Sequence, residues 1–285
     1  MSAVGVDIGG SGIRAGVLKH DGTVADLQRS ALSERSVGAV VDAVVAAVAP
    51  WRAERIGVGV PGFVRDGVVL ASPNFPAWRD VPLQATLSER LGRQVSLLND
   101  ANAATLGAWH RLGRPSDLVL LTLGTGVGGG VVAAGRPLIG KTGTGAELGH
   151  TFVGGDAPCG CGGSGCLETW CSTNGLIRLA ATAGVTATSG AEVLDAARMG
   201  TPWAVDVVSQ AANHLGVALA TLVNIFEPHT VALAGGLSTS PDLLGPAEDV
   251  MRARAIAACV ADVRLVWMGA ADDLAILGAA TWARG

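Results

Sequence analysis

Short apolar runs broken by glycine turns fill the first part of the chain, and they predict strands. Ala3–Val6 is apolar and runs into Asp7-Ile8-Gly9-Gly10-Ser11-Gly12; Ile13–Leu18 resumes the pattern, His20-Asp21-Gly22 turns it, and Val24–Gln28 continues it. That order predicts a strand–turn–strand meander. Ser36–Ala49 predicts a helix, and Ile56–Val60 predicts a strand that enters Pro61-Gly62. Leu83–Leu91 is amphipathic and predicts a helix, Val95–Leu98 a strand, and Ala101–Leu112 a helix that ends before Gly113. A similar order then begins again. Leu118–Leu123 predicts a strand, a loop follows over Gly124–Gly130, and Val131–Ala134 predicts the next strand before a turn at Gly135. Ala204–Phe226 predicts a long helix leading into a strand over Thr230–Ala234, which ends in Gly235-Gly236; the last predicted helix is Leu274–Ala283. Two halves, each a sheet with helices, predict a two-lobed α/β protein with a cleft between the lobes and a boundary near residue 113.

Composition narrows the classes. The 285 residues allow one large domain or two ordinary ones; 49% are hydrophobic and only 15% charged, so a sizeable core is expected and extended disorder is not. The net charge is −4 and no basic run occurs, which gives no electrostatic footprint for nucleic acid or an anionic membrane. Val37–Val48 is apolar, but Asp42 interrupts it and Pro50 follows, so it predicts a buried helix and not a bilayer span. The chain reaches an acidic, glycine-rich loop almost at once, so no secretion signal is predicted and the expected location is cytoplasmic. Three of the five cysteines crowd into Cys159–Cys166, which in that setting suggests metal over disulfides.

Four motifs could carry chemistry. In Asp7-Ile8-Gly9-Gly10-Ser11-Gly12, backbone N–H groups could cradle a phosphate, Ser11 adds a donor and Asp7 could hold Mg²⁺; the competing reading is a tight hairpin turn with an acidic cap. Gly124, Gly126 and Gly129 match G-x-G-x-x-G, as do Gly57, Gly59 and Gly62. A dinucleotide site needs a helix after that pattern, and here predicted strands follow both, so a phosphate-contacting hairpin loop is the surviving reading. Asn99 and Asp100 lie where an apolar strand meets a helix start, a position that faces ligand crevices in α/β folds. Asp100 could equally be a helix N-cap, and the two roles do not exclude each other. Finally, His150 with Cys159, Cys161 and Cys166 offers one imidazole and three thiolates, the donor set of a closed tetrahedral zinc site with a structural role; reduced cysteines in a flexible loop are the alternative. Such a metal would pin the flanking Glu147 and Glu168, making them fixed acceptors for neutral hydroxyl donors.

Together the motifs resemble the ROK family of sugar kinases and regulators, within the hexokinase–actin–Hsp70 superfamily, over nearly the whole chain and in the family's order. The residues that carry the resemblance are Asp7-Ile8-Gly9-Gly10, Gly59-Val60-Pro61-Gly62, Asn99-Asp100-Ala101-Asn102, Gly124–Gly130, Glu147-Leu148-Gly149-His150 and the Cys159–Glu168 stretch. The resemblance implies an actin-like, ribonuclease H-like ATPase fold of two lobes with an inter-lobe cleft. Residues 1–113, completed by a C-terminal helix at 272–285, would form the small α/β lobe, and residues 114–271 the large lobe with the zinc loop. It also implies phosphoryl transfer from ATP to the primary hydroxyl of a hexose, glucose first. Asp100 would be the base; Gly62, Asn74, Asn99, Glu147, His150 and Glu168 would line the sugar; Asp7, Gly9, Gly10, Ser11, Thr125 and Gly126 would face the phosphates; and Gly235 and Gly236 would lie near adenosine. The implied cofactors are Mg²⁺ with the nucleotide and structural Zn²⁺. The implied partners are the sugar, ATP and a second copy of the chain, with a tetramer as the alternative. DNA-binding relatives carry an added helix-turn-helix, so a repressor role is not expected here.

The resemblance leaves several alternatives open. Many relatives continue Asp-Ile-Gly-Gly with Thr-Lys, whereas Ser11-Gly12-Ile13-Arg14 stands here, a wording similar to polyphosphate-using glucokinases. The same motif set suits kinases of N-acetylmannosamine or of an amino sugar such as kanosamine. A non-catalytic sugar sensor on this fold is a further reading, against which Asp100 and the intact glycine loops argue.

Overall fold

A computed structural model describes residues 3–285, and they group into two compact units. The first comprises residues up to Arg114, Gly135–Ala146 and Asp272–Gly285; the second comprises Pro115–Ala134 and Glu147–Ala271. None of the described helices is long and apolar enough to cross a membrane.

The first unit is built on a five-stranded sheet of order β3-β2-β1-β4-β8. Its strands are β1 (Ala3–Ile8), β2 (Gly12–Leu18), β3 (Val24–Ala31), β4 (Arg55–Val60) and β8 (Gln94–Asn99). β1 and β2 form an antiparallel hairpin, while β1, β4 and β8 run parallel. A smaller antiparallel sheet joins β5 (Phe63–Arg65), β6 (Val68–Ala71) and β7 (Arg79–Val81). Segment 135–146 contributes the two-residue strand β11 (Arg136–Pro137). Helix α1 (Val37–Val48) starts where Ser36 accepts a hydrogen bond from the Ala39 amide, at 3.3 Å, and it buries Val40, Val41, Val44 and Val48 in the main core with Phe75 and Trp78. Helix α2 (Leu83–Leu91) ends in left-handed Gly92.

Helices α3 (Asp100–Arg111) and α10 (Leu274–Arg284) pack on each other, and α10 also packs on β1 and β4. Glycines make the approach possible: a methyl group at Gly278 would overlap the Ala103 carbonyl, and one at Gly107 the Leu274 carbonyl. Both obstacles are backbone and cannot rotate away. Gly278→Ala should therefore lower stability by about 1–3 kcal/mol, read as a fall of about 2–4 °C in Tm per kcal/mol. An unchanged melt would show that the helix pair can separate freely.

The second unit repeats the plan of the first. The strands β9 (Leu118–Leu123), β10 (Val127–Ala133), β12 (Thr230–Ala234) and β13 (Arg264–Gly269) lie in the order β10-β9-β12-β13. Again an antiparallel hairpin is followed by two parallel neighbours. Helices α4 (Glu168–Cys171), α5 (Thr173–Thr182), α6 (Gly190–Arg198), α7 (Pro202–Phe226), α8 (Pro241–Arg254) and α9 (Ala257–Val260) complete it, with short 3₁₀ turns at Leu148–His150 and Gly236–Thr239. The long helix α7 is buried along Val207, Val208, Ala211, Leu215 and Leu219 and packs on α8.

The sequence reading needs correcting at four places. β3 extends to Ala31, because Arg29 and Ser30 pair with Arg14 and Ile13 across an exposed edge where hydrophobic alternation is not required. β10 begins at Val127, so Gly128–Gly130 are strand and not loop. The flat backbone of Gly129 faces Leu120 and the Leu148 side chain, which leave no room for a Cβ. Helix α7 begins at Pro202 and not Ala204, since proline fits the first helical position. Helix α3 begins at Asp100, and its N-cap is Asn99, whose side chain accepts from the Ala101 and Asn102 amides.

Candidate active site and metal centre

In the first unit, three parallel strands end at the same edge. Asp7 is level with Gly59, Gly59 with Leu98, and Val60 with Asn99, so the loops after β1, β4 and β8 bring Asp7–Gly10, Gly62 and Asn99–Asp100 to one rim. Gly62 adopts φ 111°, in the glycine region, and a Cβ there would overlap the Ala71 carbonyl. Its own carbonyl accepts from Asn99 Nδ2 at 3.0 Å while Asn99 Oδ1 accepts from the Ala101 and Asn102 amides at 2.9 and 3.0 Å. Asn99 is thus fixed at both ends of its amide and ties the β4 loop to the start of α3. Asp100 is the first residue of α3, and its Oδ1 accepts from the Ala101 amide at 2.8 Å.

The Asp7 loop closes on itself: the Gly9 amide donates to the Gly12 carbonyl at 2.8 Å. Gly9 therefore contributes geometry in this conformation, and its N–H is committed within the turn. Asn74 lies beside Gly10, where an added Cβ would come within 2.8 Å of Asn74 Nδ2, so the Ser72–Trp78 segment reaches the phosphate-loop motif. Asp7 is buried, and Arg14 clamps its Oδ2 with Nε at 3.0 Å and Nη2 at 2.6 Å. Burial pushes the Asp7 carboxyl up, against the pull of that guanidinium. Arg14 and Arg29 in turn approach Asp272 at 3.9 and 3.6 Å. Asp7, Ser11, Arg14 and Arg29 line a cavity of about 390 Å³ together with the loop glycines.

In the second unit, the parallel strands β9 and β12 also end together. Gly235, at φ 96°, packs on the Leu123 backbone, next to the Gly124-Thr125-Gly126 turn, while Gly236 has open space where a side chain would sit. The Gly124 amide donates to Gly126 O at 3.0 Å, closing this loop as tightly as the Asp7 loop. The first amides of α5 grip it from behind, Thr173 N to Gly124 O at 2.8 Å and Asn174 N to Thr125 O at 3.4 Å. Glu168 reaches the same loop: its Oε2 accepts from the Val127 amide at 3.0 Å.

The other oxygen of Glu168 lies 3.8 Å from Cys159 Sγ, at the edge of a metal-ligand cluster. One ligand atom from each of His150, Cys159, Cys161 and Cys166 lies within 4.8 Å of all the others. Cys161 Sγ and Cys166 Sγ are 3.7 Å apart, and Cys159 Sγ is 3.4 Å from His150 Nδ1. A tetrahedral zinc with bonds of about 2.3 Å to sulfur and about 2.0 Å to nitrogen would have edges of about 3.8 and 3.5 Å. Backbone bonds wind the loop to this shape, Cys159 N to Gly163 O and Gly165 N to Ala157 O, both at 2.9 Å. His150 enters from the 3₁₀ turn that begins beside Glu147. Burial and the neighbouring Cys159 and Cys161 push the Cys166 thiol up to about 12, so three crowded thiolates need a cation to coexist.

Glu168 thus joins the metal cluster to the glycine turn. A methyl group at Gly126 would collide with Glu168 Oε2 and dislodge that carboxylate from Val127. Gly126→Ala should reduce kcat/KM about tenfold or more, measured by steady-state kinetics, with a smaller effect on Tm; unchanged kinetics would detach this turn from the site.

Some residues at these two rims escaped the sequence reading. Arg14 was visible only as a charge on a predicted strand and Arg29 lay just past the end of one, and only the hairpin register shows that they face Asp7 and Asp272. Ser72 Oγ is buried without a hydrogen-bond partner beside Gly62. The Thr173 and Asn174 amides carry no side-chain signature at all.

The sequence model of the ROK family matches residues 3–285. The chain is 35% identical to a glucokinase of Thermotoga maritima, across 99% of this chain and 96% of that protein. It is also 35% identical to an N-acetyl-D-glucosamine kinase of Pectobacterium carotovorum, across 84% of this chain and 85% of that protein. Among solved structures, a ROK family glucokinase from Streptomyces griseus in complex with glucose and AMPPNP superposes with a TM-score of 0.81 at 31% identity, covering 100% of this chain and 99% of that one. With the repeated hairpin-and-parallel sheets of an actin-like ATPase fold and a family match over almost its entire length, the chain belongs to the ROK family.

Proposed function

We propose that this protein is an ATP-dependent sugar kinase that phosphorylates the primary 6-hydroxyl of a hexose, glucose first, with Asp100 as general base. The likeness to glucokinases along nearly the whole chain carries this reading. The hydroxyl oxygen attacks the γ-phosphorus of ATP, its proton passes to Asp100, and ADP leaves. Phosphoryl transfer depends on positioning and charge neutralisation more than on covalent help. Gly62, Asn74, Asn99, Glu147, His150 and Glu168 are proposed to hold the sugar. Gly9, Gly10, Ser11, Thr125 and Gly126 are proposed to shape the phosphate site, with Gly235 and Gly236 beside the nucleoside. Mg²⁺ bound with ATP would offset phosphate charge, and Asp7 would hold it, directly or through water, with the oxygen that Arg14 does not take. Zn²⁺ on His150, Cys159, Cys161 and Cys166 would be structural, since four protein ligands leave no open position.

A second reading, an N-acetylhexosamine kinase, is favoured by the comparable likeness to an N-acetyl-D-glucosamine kinase. ADP release over a panel of glucose, N-acetylglucosamine, N-acetylmannosamine and kanosamine, run with ATP and with polyphosphate in parallel, separates the readings. Glucose with ATP should give the highest kcat/KM. Preference for an acetylated sugar or for polyphosphate would replace that substrate or donor; tight sugar binding without turnover would point to a sensor. A cytoplasmic homodimer is the proposed working form, and light scattering at twice the chain mass of 28.5 kDa tests the dimer.

A further inference from the structure

The first-unit sheet has an opposite edge, where β4 and β8 begin, far along the strands from Gly62 and Asn99. There a cavity of about 630 Å³ opens between the strand starts, the end of α3 and the last turn of α10. Arg55, Arg114, Arg284 and His110 line it together with the indoles of Trp109 and Trp282, and no Asp or Glu does so among the described residues. In a chain of net charge −4, a hollow with three guanidiniums against a single carboxylate, that of Gly285, keeps a local excess of positive charge. Two of these cations are held in place by the fold. Arg55 Nη1 donates to the Ala283 and Arg284 carbonyls at 3.3 and 2.7 Å, and the Arg114 guanidinium lies over the Trp109 ring at 5.4 Å while its amide donates to Trp109 O at 2.8 Å. Burial, then the charges of Arg114 and Arg284, hold His110 below its ordinary value, so the imidazole senses the same positive field.

We propose that this cavity is a second ligand site that binds a small phosphate monoester, its phosphate on the arginines and its ring against the exposed Trp282 indole. The guanidinium fork matches phosphate oxygens bidentately, and clustered arginines favour a dianion over a single carboxylate. Indole faces suit the flat C–H surface of a sugar or base. The volume of about 630 Å³ lies in the range of small-molecule sites. The proposal stands apart from the kinase reading, because the cavity and the sugar rim occupy opposite ends of the same strands and the test needs no turnover.

Calorimetric titration of the full chain, without ATP, with glucose 6-phosphate, inorganic phosphate and glucose decides it. Arg114 is exposed and lies beyond the end of α3, so Arg114→Ala and Arg114→Glu should fold and keep basal turnover. Glucose 6-phosphate binding should weaken about tenfold in Arg114→Ala, more in Arg114→Glu, and least in Arg114→Lys. Any ester bound at the sugar rim contributes a component that is indifferent to Arg114. Inorganic phosphate binding as tightly as the ester would overturn the ester in favour of free phosphate. Isotherms identical in wild type and Arg114→Glu would overturn the site.

Discussion

Asp100→Asn should lose turnover by a factor of ~10²–10⁴, the usual worth of a general base, while sugar binding and the melting curve stay near wild type. The amide is isosteric and can still accept from the Ala101 N–H, and Asn99 keeps the cap of α3, so little structural change is expected. What the amide cannot do is take a proton. The separation is therefore sharp: kcat collapses, sugar affinity by calorimetry does not, and Tm moves little. A variant with near-normal kcat would remove Asp100 from the role of base. The distinction matters because helix capping, the bland alternative for Asp100, belongs to its neighbour.

The metal cluster should give the second large effect. Cys161→Ser changes an exposed ligand, so packing is disturbed least of all the cluster positions. Elemental analysis should find about one zinc per chain in the wild type and close to none in the variant. Structural zinc sites contribute directly to folding free energy, on the order of 10 kcal/mol in isolated zinc-binding peptides. Even a fraction of that would lower Tm by many degrees, and a strong chelator should reproduce the shift in the wild type. Activity should fall as well, because Glu168 spans the space between Cys159 and the Val127 amide and loses its anchor. A wild-type protein that is metal-free, stable and active would refute the centre.

Much of the fold was legible because hydrophobic runs and glycine turns coincide with its elements. α2, β9 and β12 fall on the residues that periodicity selects. The interior parallel strands carry apolar residues on both faces, which makes them legible, while the exposed edge strand β3 was read only in part. Helices α5, α6 and α8 went unread, since mixed polar and small residues between Thr173 and Arg254 give no clean period outside α7. β13 also went unread; it lies at the sheet edge and is only partly buried. At the site, residue types revealed the thiol cluster, because few other arrangements need three cysteines and a histidine so close in sequence. They could not reveal the Arg14 clamp on Asp7 or the double anchoring of Asn99, which depend on strand register and a loop carbonyl thirty-seven positions away.

The α3–α10 contact has a consequence for the order in which the protein can assemble during synthesis. The helix that begins at Asp100 is backed by Leu274–Arg284, which is synthesised after all of the second unit, and glycines on both sides let the two backbones touch. Every segment of the second unit has been made by then, whereas the first unit still lacks Asp272–Gly285. Domains usually fold from the N-terminus as they emerge. Here the unit that starts first is completed after the second, so a nascent chain holds its β1–β4–β8 sheet uncovered on one face until Leu274–Arg284 has been made. Loss of the final helix should accordingly leave an insoluble chain, one that never reaches the stage at which a missing activity could be measured.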